Sequence, residues 1–475
     1  MHLVDINVLI ARLDPAHTHH ERAVKWFAAP GRSGWATCPL TENGFVRIVG
    51  HSSYPGGPGS PQRAAMLLRA NNLAKGFSGA HVTTVELLVE CLNRGVVPVV
   101  PARGSVGASG DLAPLAHLAL PLVGEGEAVV GGQRMDGGEA LRSVGLAPIR
   151  LASKEGLSLV NGTQFMASMA ALAIVRARRL AATADLACAL SLEALQGSRT
   201  SFMPAVHRAR PLKGQQDTAS NVWRLLEGSA IIESHRWCDK VQDAYSLRCA
   251  PQVHGACRDL LDYVEATVVV ELNSATDNPL VLLEESEIVS AGNFHGQPLA
   301  FALDALAISV AELASISERR LERLVNPTLS EGLPPFLVEE GGLNSGFMIP
   351  QYVAAALVSE NKVFAHPASV DSIPTSAGQE DHVSMGNAAG LQALLVLDNV
   401  ERTLAIELLA GTQAIEFLAP LRPGQGVCAV HDVIRSFSDR LVEDRSLSAD
   451  IERVATAIRS GAVLAAAERE IGVLA

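Results

Sequence analysis

The feature that most constrains the fold is a long stretch without a helix breaker, from residue 164 to about residue 197. Ala and Leu dominate it, and both have high helix propensity. Long helical patterns also run over residues 299–324 and 347–363, and residues 386–475 alternate helical patterns with one Pro/Gly break at 420–424. The sequence therefore predicts a mainly α-helical protein, a bundle of long and largely buried helices.

Composition narrows the class of protein. The chain has 475 residues, 48% of them hydrophobic, which is enough for a large core. Its net charge is −12 and it has no basic block, which argues against nucleic-acid binding through phosphate contacts. Seven Cys without a metal-binding or disulfide spacing favour a reducing compartment. We find no signal peptide and no charge-free membrane-spanning stretch, so we expect a cytoplasmic protein with no membrane partner.

The densest motif covers residues 104–115 and reads Gly-Ser-Val-Gly-Ala-Ser-Gly-Asp-Leu-Ala-Pro-Leu. Small residues at its centre let the backbone bend tightly. Taken alone, the motif predicts a Gly-rich turn with Asp111 capping the helix that follows it.

With its flanks, the motif resembles the signature of the aromatic amino-acid ammonia-lyases, and of histidine ammonia-lyases in particular. The resemblance runs from about residue 62 to the end of the chain. It implies that Ala108-Ser109-Gly110 cyclises into a 4-methylidene-imidazol-5-one electrophile, abbreviated MIO. Such a group is needed because none of the ordinary side chains is a good electron sink. The resemblance also implies a homotetramer that needs no external cofactor or metal.

The same resemblance assigns roles to polar positions in other stretches. Asn161, which by itself indicates only a turn at Asn161-Gly162, would hydrogen-bond the MIO and the substrate. Tyr245 and Arg248 are spaced so that they share a helix face. By resemblance, Arg248 binds the substrate carboxylate and Tyr245 donates toward the MIO. Gln242 would line the same pocket.

Two further positions complete the implied site. Phe294, in a polar and turn-rich stretch, would contact the MIO ring, although such an aromatic is equally often a core residue. Glu380 follows Gln379, a pair that in the histidine enzymes meets the imidazole. A carboxylate can accept the imidazole N–H, so Glu380 favours L-histidine as substrate, with trans-urocanate and ammonia as products.

Residues 1 to about 60 differ from the rest and resemble the first half of a PIN domain, the nuclease fold of VapC-type toxins. Asp5 and Glu42 match acids that hold Mg²⁺ or Mn²⁺ in that family, but the later acids have no counterpart, so we expect no working metal site. A cluster at His17, His19 and His20 is expected to be a solvated helix face. The domain prediction is a truncated α/β fragment over residues 1–60 and a helical lyase domain over residues 61–475.

This arrangement departs from the lyase pattern. The family's N-terminal portion carries a catalytic Tyr in a Tyr-Gly-x-Asn-Thr-Gly-Phe-Gly loop and a Ser-His pair, and neither motif occurs here. Tyr54 is the one Tyr in a Gly/Pro-rich loop that could replace the missing base. Impaired turnover is therefore expected, and the alternatives are an inactive fusion or a remnant of a metal-dependent RNase.

Overall fold

The computed structural model describes residues 60–475 and, before them, His2–Leu3, Glu21 and Trp35–Ala36. The strands β1 (His2–Leu3) and β2 (Trp35–Ala36) pair in parallel, with His2 opposite Trp35. Glu21, between them, is helical. The sequence candidates that fall outside the described residues are Asp5, His17, His19, His20, Glu42 and Tyr54.

The described chain is mainly helical, as predicted. Its α-helices are α1 Pro61–Ala74, α2 Val82–Asn93, α3 Leu112–Ala119, α4 Gly137–Ser143, α5 Glu155–Val160, α6 Gln164–Ala194, α7 Pro204–Arg208, α8 Lys213–Leu225, α9 Ala230–Ser234, α10 Tyr245–Arg248, α11 Ala250–Leu272, α12 Gln297–Val325, α13 Met348–Phe364, α14 Gly386–Glu416, α15 Gln425–Arg435, α16 Ser448–Ser460 and α17 Ala462–Ile471. Short 3₁₀ turns lie at Leu120–Val123, Arg199–Phe202, Pro335–Leu337 and Ser376–Gly378.

The chain divides into two compact units. Unit 1 comprises Met1–Val175, Val264–Asp304 and Pro367–Leu391, and unit 2 comprises Arg176–Tyr263, Ala305–His366 and Gln392–Ala475. Four of the five boundaries fall inside the long helices α6, α11, α12 and α14, and the fifth, between His366 and Pro367, follows the end of α13.

Unit 1 carries two small antiparallel arrangements of strands, one of them around the Gly-rich stretch of residues 124–138. The strands β3 (Val97–Pro98), β4 (Glu127–Val130) and β5 (Gln133–Asp136) form an antiparallel sheet in that order. A second hairpin pairs β6 (Leu280–Leu282) with β7 (Glu287–Val289). Both sheets are small, because the apolar residues of this chain are mostly Ala and Leu rather than β-branched or aromatic.

The stretch that constrained the fold is the helix α6, and it is buried along most of its length. Several of its Ala residues, among them Ala173, Ala177 and Ala184, are fully inaccessible to solvent. Small residues let neighbouring helices approach closely: a Cβ at Gly390 in α14 would collide with the side chain of Met169 in α6. The long helical pattern is thus explained by burial rather than by helix propensity alone.

The C-terminal part of unit 2 follows the predicted alternation. The helix α14 ends at Glu416, and α15 begins after the Pro/Gly break. The helix α16 stops at Gly461, whose φ of 85° is the left-handed conformation that commonly ends a helix.

The helix α12 is long and apolar enough to cross a membrane by length and composition. In its most apolar window, 67% of the residues are buried inside the protein, as in the core helix of a globular protein.

Candidate active site

The Ala108-Ser109-Gly110 tripeptide forms a tight turn in unit 1. Ser109 and Gly110 have φ of 50° and 77°, in the left-handed region that a non-glycine residue such as Ser109 rarely occupies. Ala108 is buried and packs against Val383 and Met385. Strained backbone of this kind persists only where the surroundings enforce it.

A second turn, Asn161-Gly162, holds the tripeptide from the other side. The backbone N–H of Asp111 donates to the Gly162 carbonyl oxygen at 2.7 Å, and Gly110 forms a bridge with Gly162. A Cβ at Gly110 would collide with that carbonyl oxygen. Only glycine therefore fits at this position.

Asp111 does not do what the sequence predicted. It precedes the helix α3 but its side chain makes no capping bond there. Its Oδ2 instead accepts the backbone N–H groups of Phe165 (2.9 Å) and Met166 (2.8 Å), in the first turn of α6. Asp111 accepts from α6 rather than α3 because the pairing of Gly110 with Gly162 brings it to the N-terminus of α6. Burial raises the pKa of this carboxyl to about 7, although the two backbone hydrogen bonds oppose the shift.

Asn161 is buried directly after the helix α5. Its Nδ2 donates to the Asn278 carbonyl oxygen at 2.7 Å. Its Oδ1 is also buried and finds no hydrogen-bond partner among the described residues. A buried acceptor without a donor is costly, and it is satisfied when a ligand supplies the donor.

Glu380 lies at the tripeptide. The Ser109 hydroxyl donates to Glu380 Oε1 at 3.0 Å, and the Thr375 hydroxyl donates to Oε2 at 2.8 Å. The segment from Thr375 to Glu380, called here the Glu380 loop, closes on itself through a backbone bond from Thr375 N to Glu380 O of 3.0 Å. Three successive left-handed residues, with φ of 52°, 55° and 87° at Ser376, Ala377 and Gly378, make the reversal.

Phe294 lies in the same unit, half-buried in the loop before the helix α12. Its neighbour His295 donates from Nε2 to the His382 carbonyl oxygen at 3.3 Å, and the two imidazole rings stack. The His295 Nδ1 accepts the backbone N–H of Gln297, which fixes the donor role of Nε2. This contact joins the Phe294 segment to the segment that carries Glu380.

The remaining candidates, Gln242, Tyr245 and Arg248, lie in unit 2. Tyr245 and Arg248 share a face of the short helix α10, as predicted, and the guanidinium carbon lies 4.7 Å from the centre of the Tyr245 ring. Arg248 Nε donates to the Asp243 carbonyl oxygen at 2.9 Å. Gln242 and Arg248 line a cavity of about 960 Å³ in this unit, so both are accessible to a small ligand.

The family model for aromatic amino acid lyases matches residues 47–436. A histidine ammonia-lyase from Gloeobacter violaceus is 59% identical over 410 residues, which cover 86% of this chain and 80% of the relative. The chain belongs to the aromatic amino acid lyase family. The crystal structure of a histidine ammonia-lyase from Trypanosoma cruzi superposes with a TM-score of 0.82 at 43% identity, covering 99% of this chain and 96% of that one. A tyrosine aminomutase from Streptomyces globisporus also has a TM-score of 0.82, at 37% identity, with 92% and 86% covered.

Two buried side chains that contact segments carrying candidate residues, one in each unit, were not predicted from the sequence. Arg320 donates from Nη1 to the Ser246 carbonyl oxygen in α10 at 3.4 Å and pairs with Glu407 at 2.5 Å. Arg69 is fully buried below the Asn161-Gly162 turn. A usable signal existed for Arg69, because it falls on the apolar face of α1 with Ala65 and Leu73, where a charge has a special reason to be.

No group of three or more His, Cys, Asp and Glu side chains in residues 60–475, or among the few residues described before them, could hold a metal ion.

Proposed function

We propose that the protein is a histidine ammonia-lyase, which eliminates ammonia from L-histidine to give trans-urocanate. The observation that carries the proposal is the contact between Glu380 and Ser109, because it joins a carboxylate suited to imidazole to the tripeptide that the family cyclises. The curated relatives at 50–59% identity bear this name. The sequence similarity and the site geometry therefore favour the same reaction.

The tripeptide fits the cyclised MIO group. Ring closure joins the Gly110 nitrogen to the Ala108 carbonyl carbon, and the turn with left-handed Ser109 and Gly110 folds these residues back on each other. One water takes the Ala108 oxygen with the amide protons of Gly110 and Ser109. A second takes the Ser109 hydroxyl with the Ser109 Cα proton, so no oxidant is needed. The unpaired Asn161 Oδ1 is an acceptor that the substrate amine would satisfy, because the closed ring itself has no N–H or O–H to donate.

The MIO supplies an electrophile that activates the amino group as a leaving group. The chain's own residues bind and orient the substrate around it. The planar guanidinium of Arg248 suits the carboxylate, Glu380 suits the imidazole N–H, and Asn161 suits the amine region. Gln242, Tyr245 and Phe294 keep the roles of pocket lining, donor toward the MIO and ring contact.

The base that removes the β-proton is not assigned to a described residue. Tyr54 stays the sequence candidate, and it lies outside the described residues. Loss of a general base typically slows turnover by roughly 10²–10⁴-fold, so slow but measurable activity fits a chain without the usual Tyr loop. The PIN resemblance of residues 1–60, the cytoplasmic location and the homotetramer also remain proposals.

The first test is urocanate formation from L-histidine by the purified protein, followed by ultraviolet absorbance. We expect product from the parent and none from Ser109→Ala, which cannot lose the second water. Glu380→Gln serves as a matched variant, because it keeps the size of the side chain and removes its charge. It should raise KM for histidine.

A second measurement separates chemistry from folding. If the folded parent has lost two waters by mass and still makes no urocanate, the proposed lyase activity is wrong. That result would favour the inactive-fusion alternative.

A further inference from the structure

Arg69 is a buried cation whose hydrogen bonds in unit 1 go to neutral groups, while the carboxylates of Asp277 and Asp111 lie near enough to favour its charge. Its side chain on α1 is 0% exposed. The guanidinium donates to Gln164 Oε1 at 2.5 Å, to the Thr276 carbonyl oxygen at 3.5 Å and to the Ser158 carbonyl oxygen. Burying a charge costs free energy that these acceptors and the two carboxylates return only in part, and burial still lowers the pKa of Arg69 to about 10. A role for this residue in the site accounts for that cost.

The acceptors of Arg69 bracket the Asn161-Gly162 turn. Ser158 lies in the last turn of α5, just before Asn161, and Gln164 is the first residue of α6, just after Gly162. Thr276 lies two residues before Asn278, whose carbonyl accepts from Asn161 Nδ2. One planar fork therefore fixes both ends of the turn and the segment beneath it.

A direct contact extends this bracket to Gly162. A Cβ at Gly162 would collide with Arg69 Nη1 and Gln164 Oε1. The guanidinium thus lies against the Gly162 backbone, on which the Asp111 N–H and the bridge with Gly110 depend. Movement of the Asn161-Gly162 turn would move the Gly110 amide, which is the nucleophile of ring closure.

We propose that Arg69 is a positioning residue for cyclisation of Ala108-Ser109-Gly110: it locks the Asn161-Gly162 turn so that the Gly110 nitrogen is held at the Ala108 carbonyl carbon. The inference rests on the proposed function, because it assumes that the tripeptide cyclises. Arg69 makes no bond in the ring-closing step, in which the two waters leave as described above.

The experiment follows the mass of the intact protein at intervals after a pulse of synthesis. The parent should become lighter by two water molecules, and Ser109→Ala should not. In Arg69→Met, which keeps the length of the side chain and removes its donors, we expect water loss to slow by roughly 10²-fold, because a misplacement of about 1 Å has that effect. Leu88→Ala is the control, since it opens a cavity in the neighbouring helix α2 without removing a hydrogen bond.

The possible outcomes are distinct. Folded Arg69→Met that loses both waters as fast as the parent overturns the role of Arg69 and leaves the proposed function intact. A parent that keeps its full mass overturns both. If Arg69→Met does not fold, Arg69→Lys decides, because an ammonium keeps the charge but cannot span three acceptors. Slowed water loss supports the proposal, and the parental rate refutes it.

Discussion

At the scale of single residues, the tripeptide region depends on positions where no other residue type fits. Neither Gly110 nor Gly162 accepts a side chain, because a Cβ at Gly110 would collide with the Gly162 carbonyl and a Cβ at Gly162 would collide with Arg69 and Gln164. Asp111 contributes a single oxygen, Oδ2, to two backbone donors of α6, while its Oδ1 is buried and finds no described partner. Burial favours the neutral carboxyl, in which Oδ1 carries the proton and Oδ2 still accepts both backbone N–H groups.

This protonation predicts a pH dependence of stability. The pKa of Asp111 rises from 3.8 to about 7 on folding, so the folded state holds an extra proton between these values. The contribution of this proton to the free energy of unfolding is complete below about pH 4 and is lost as the pH rises through 7. In Asp111→Asn, the free energy of unfolding should therefore fall less between pH 5 and pH 8 than in the parent.

Denaturant unfolding at a series of pH values measures this difference. Glu139→Gln, which changes an exposed acid in the first turn of α4, should keep the parental slope. An unchanged slope in Asp111→Asn would show that Asp111 is ionised in the folded protein.

At the scale of elements, close helix packing depends on particular glycines. In unit 2, Gly214 of α8 lies against Gly255 of α11, and a Cβ at Gly255 would collide with the backbone of Gln215. Gly156 of α5 is different, because its Cβ would meet only Leu151, at an ordinary 3.8 Å.

These two glycines predict opposite effects of one substitution. Gly255→Ala should destabilise the protein by about 1–3 kcal/mol, since the backbones must separate. Gly156→Ala should stabilise it by about 0.5–1 kcal/mol through helix propensity. Thermal and denaturant unfolding of both variants provide the measurement, and equal effects would contradict the packing argument.

The helices were the predictable part of the fold. The pattern over residues 164–197 predicted α6 with its C-terminal end in error by three residues, because a long Ala/Leu run without a breaker strongly favours a helix. The residues that bracket the tripeptide were harder to predict. That Asp111 caps α6 rather than α3, and that Arg69 lies below Asn161, follow from chain crossings between segments far apart in sequence. Local patterns hold no information about such crossings.

At the scale of the whole molecule, one apolar surface in unit 2 requires an explanation. Trp237, Val241 and Tyr245 are 87%, 96% and 71% exposed within one short segment. Concentrated exposed apolar side chains commonly mark an interaction surface. Tyr245 is also a site candidate, and elimination requires a pocket that excludes water.

If a second copy of the chain covers this apolar surface, the protein should self-associate. Sedimentation should give four times the 50.0 kDa chain mass, in line with the homotetramer that the family resemblance implies. Val241→Lys should weaken the assembly and lower activity in parallel while the helix content is kept. A protein that stays monomeric at micromolar concentration and still turns over histidine would contradict this.

The closed Glu380 loop has a consequence for how such a protein can diversify. Its two ends meet, and its reversal depends on backbone conformation within Ser376, Ala377 and Gly378. Glu380, the acid at the tripeptide, thus belongs to a short segment whose conformation is set within the segment itself. Mutations there can alter which molecule is accepted, while the helices and the tripeptide are inherited unchanged.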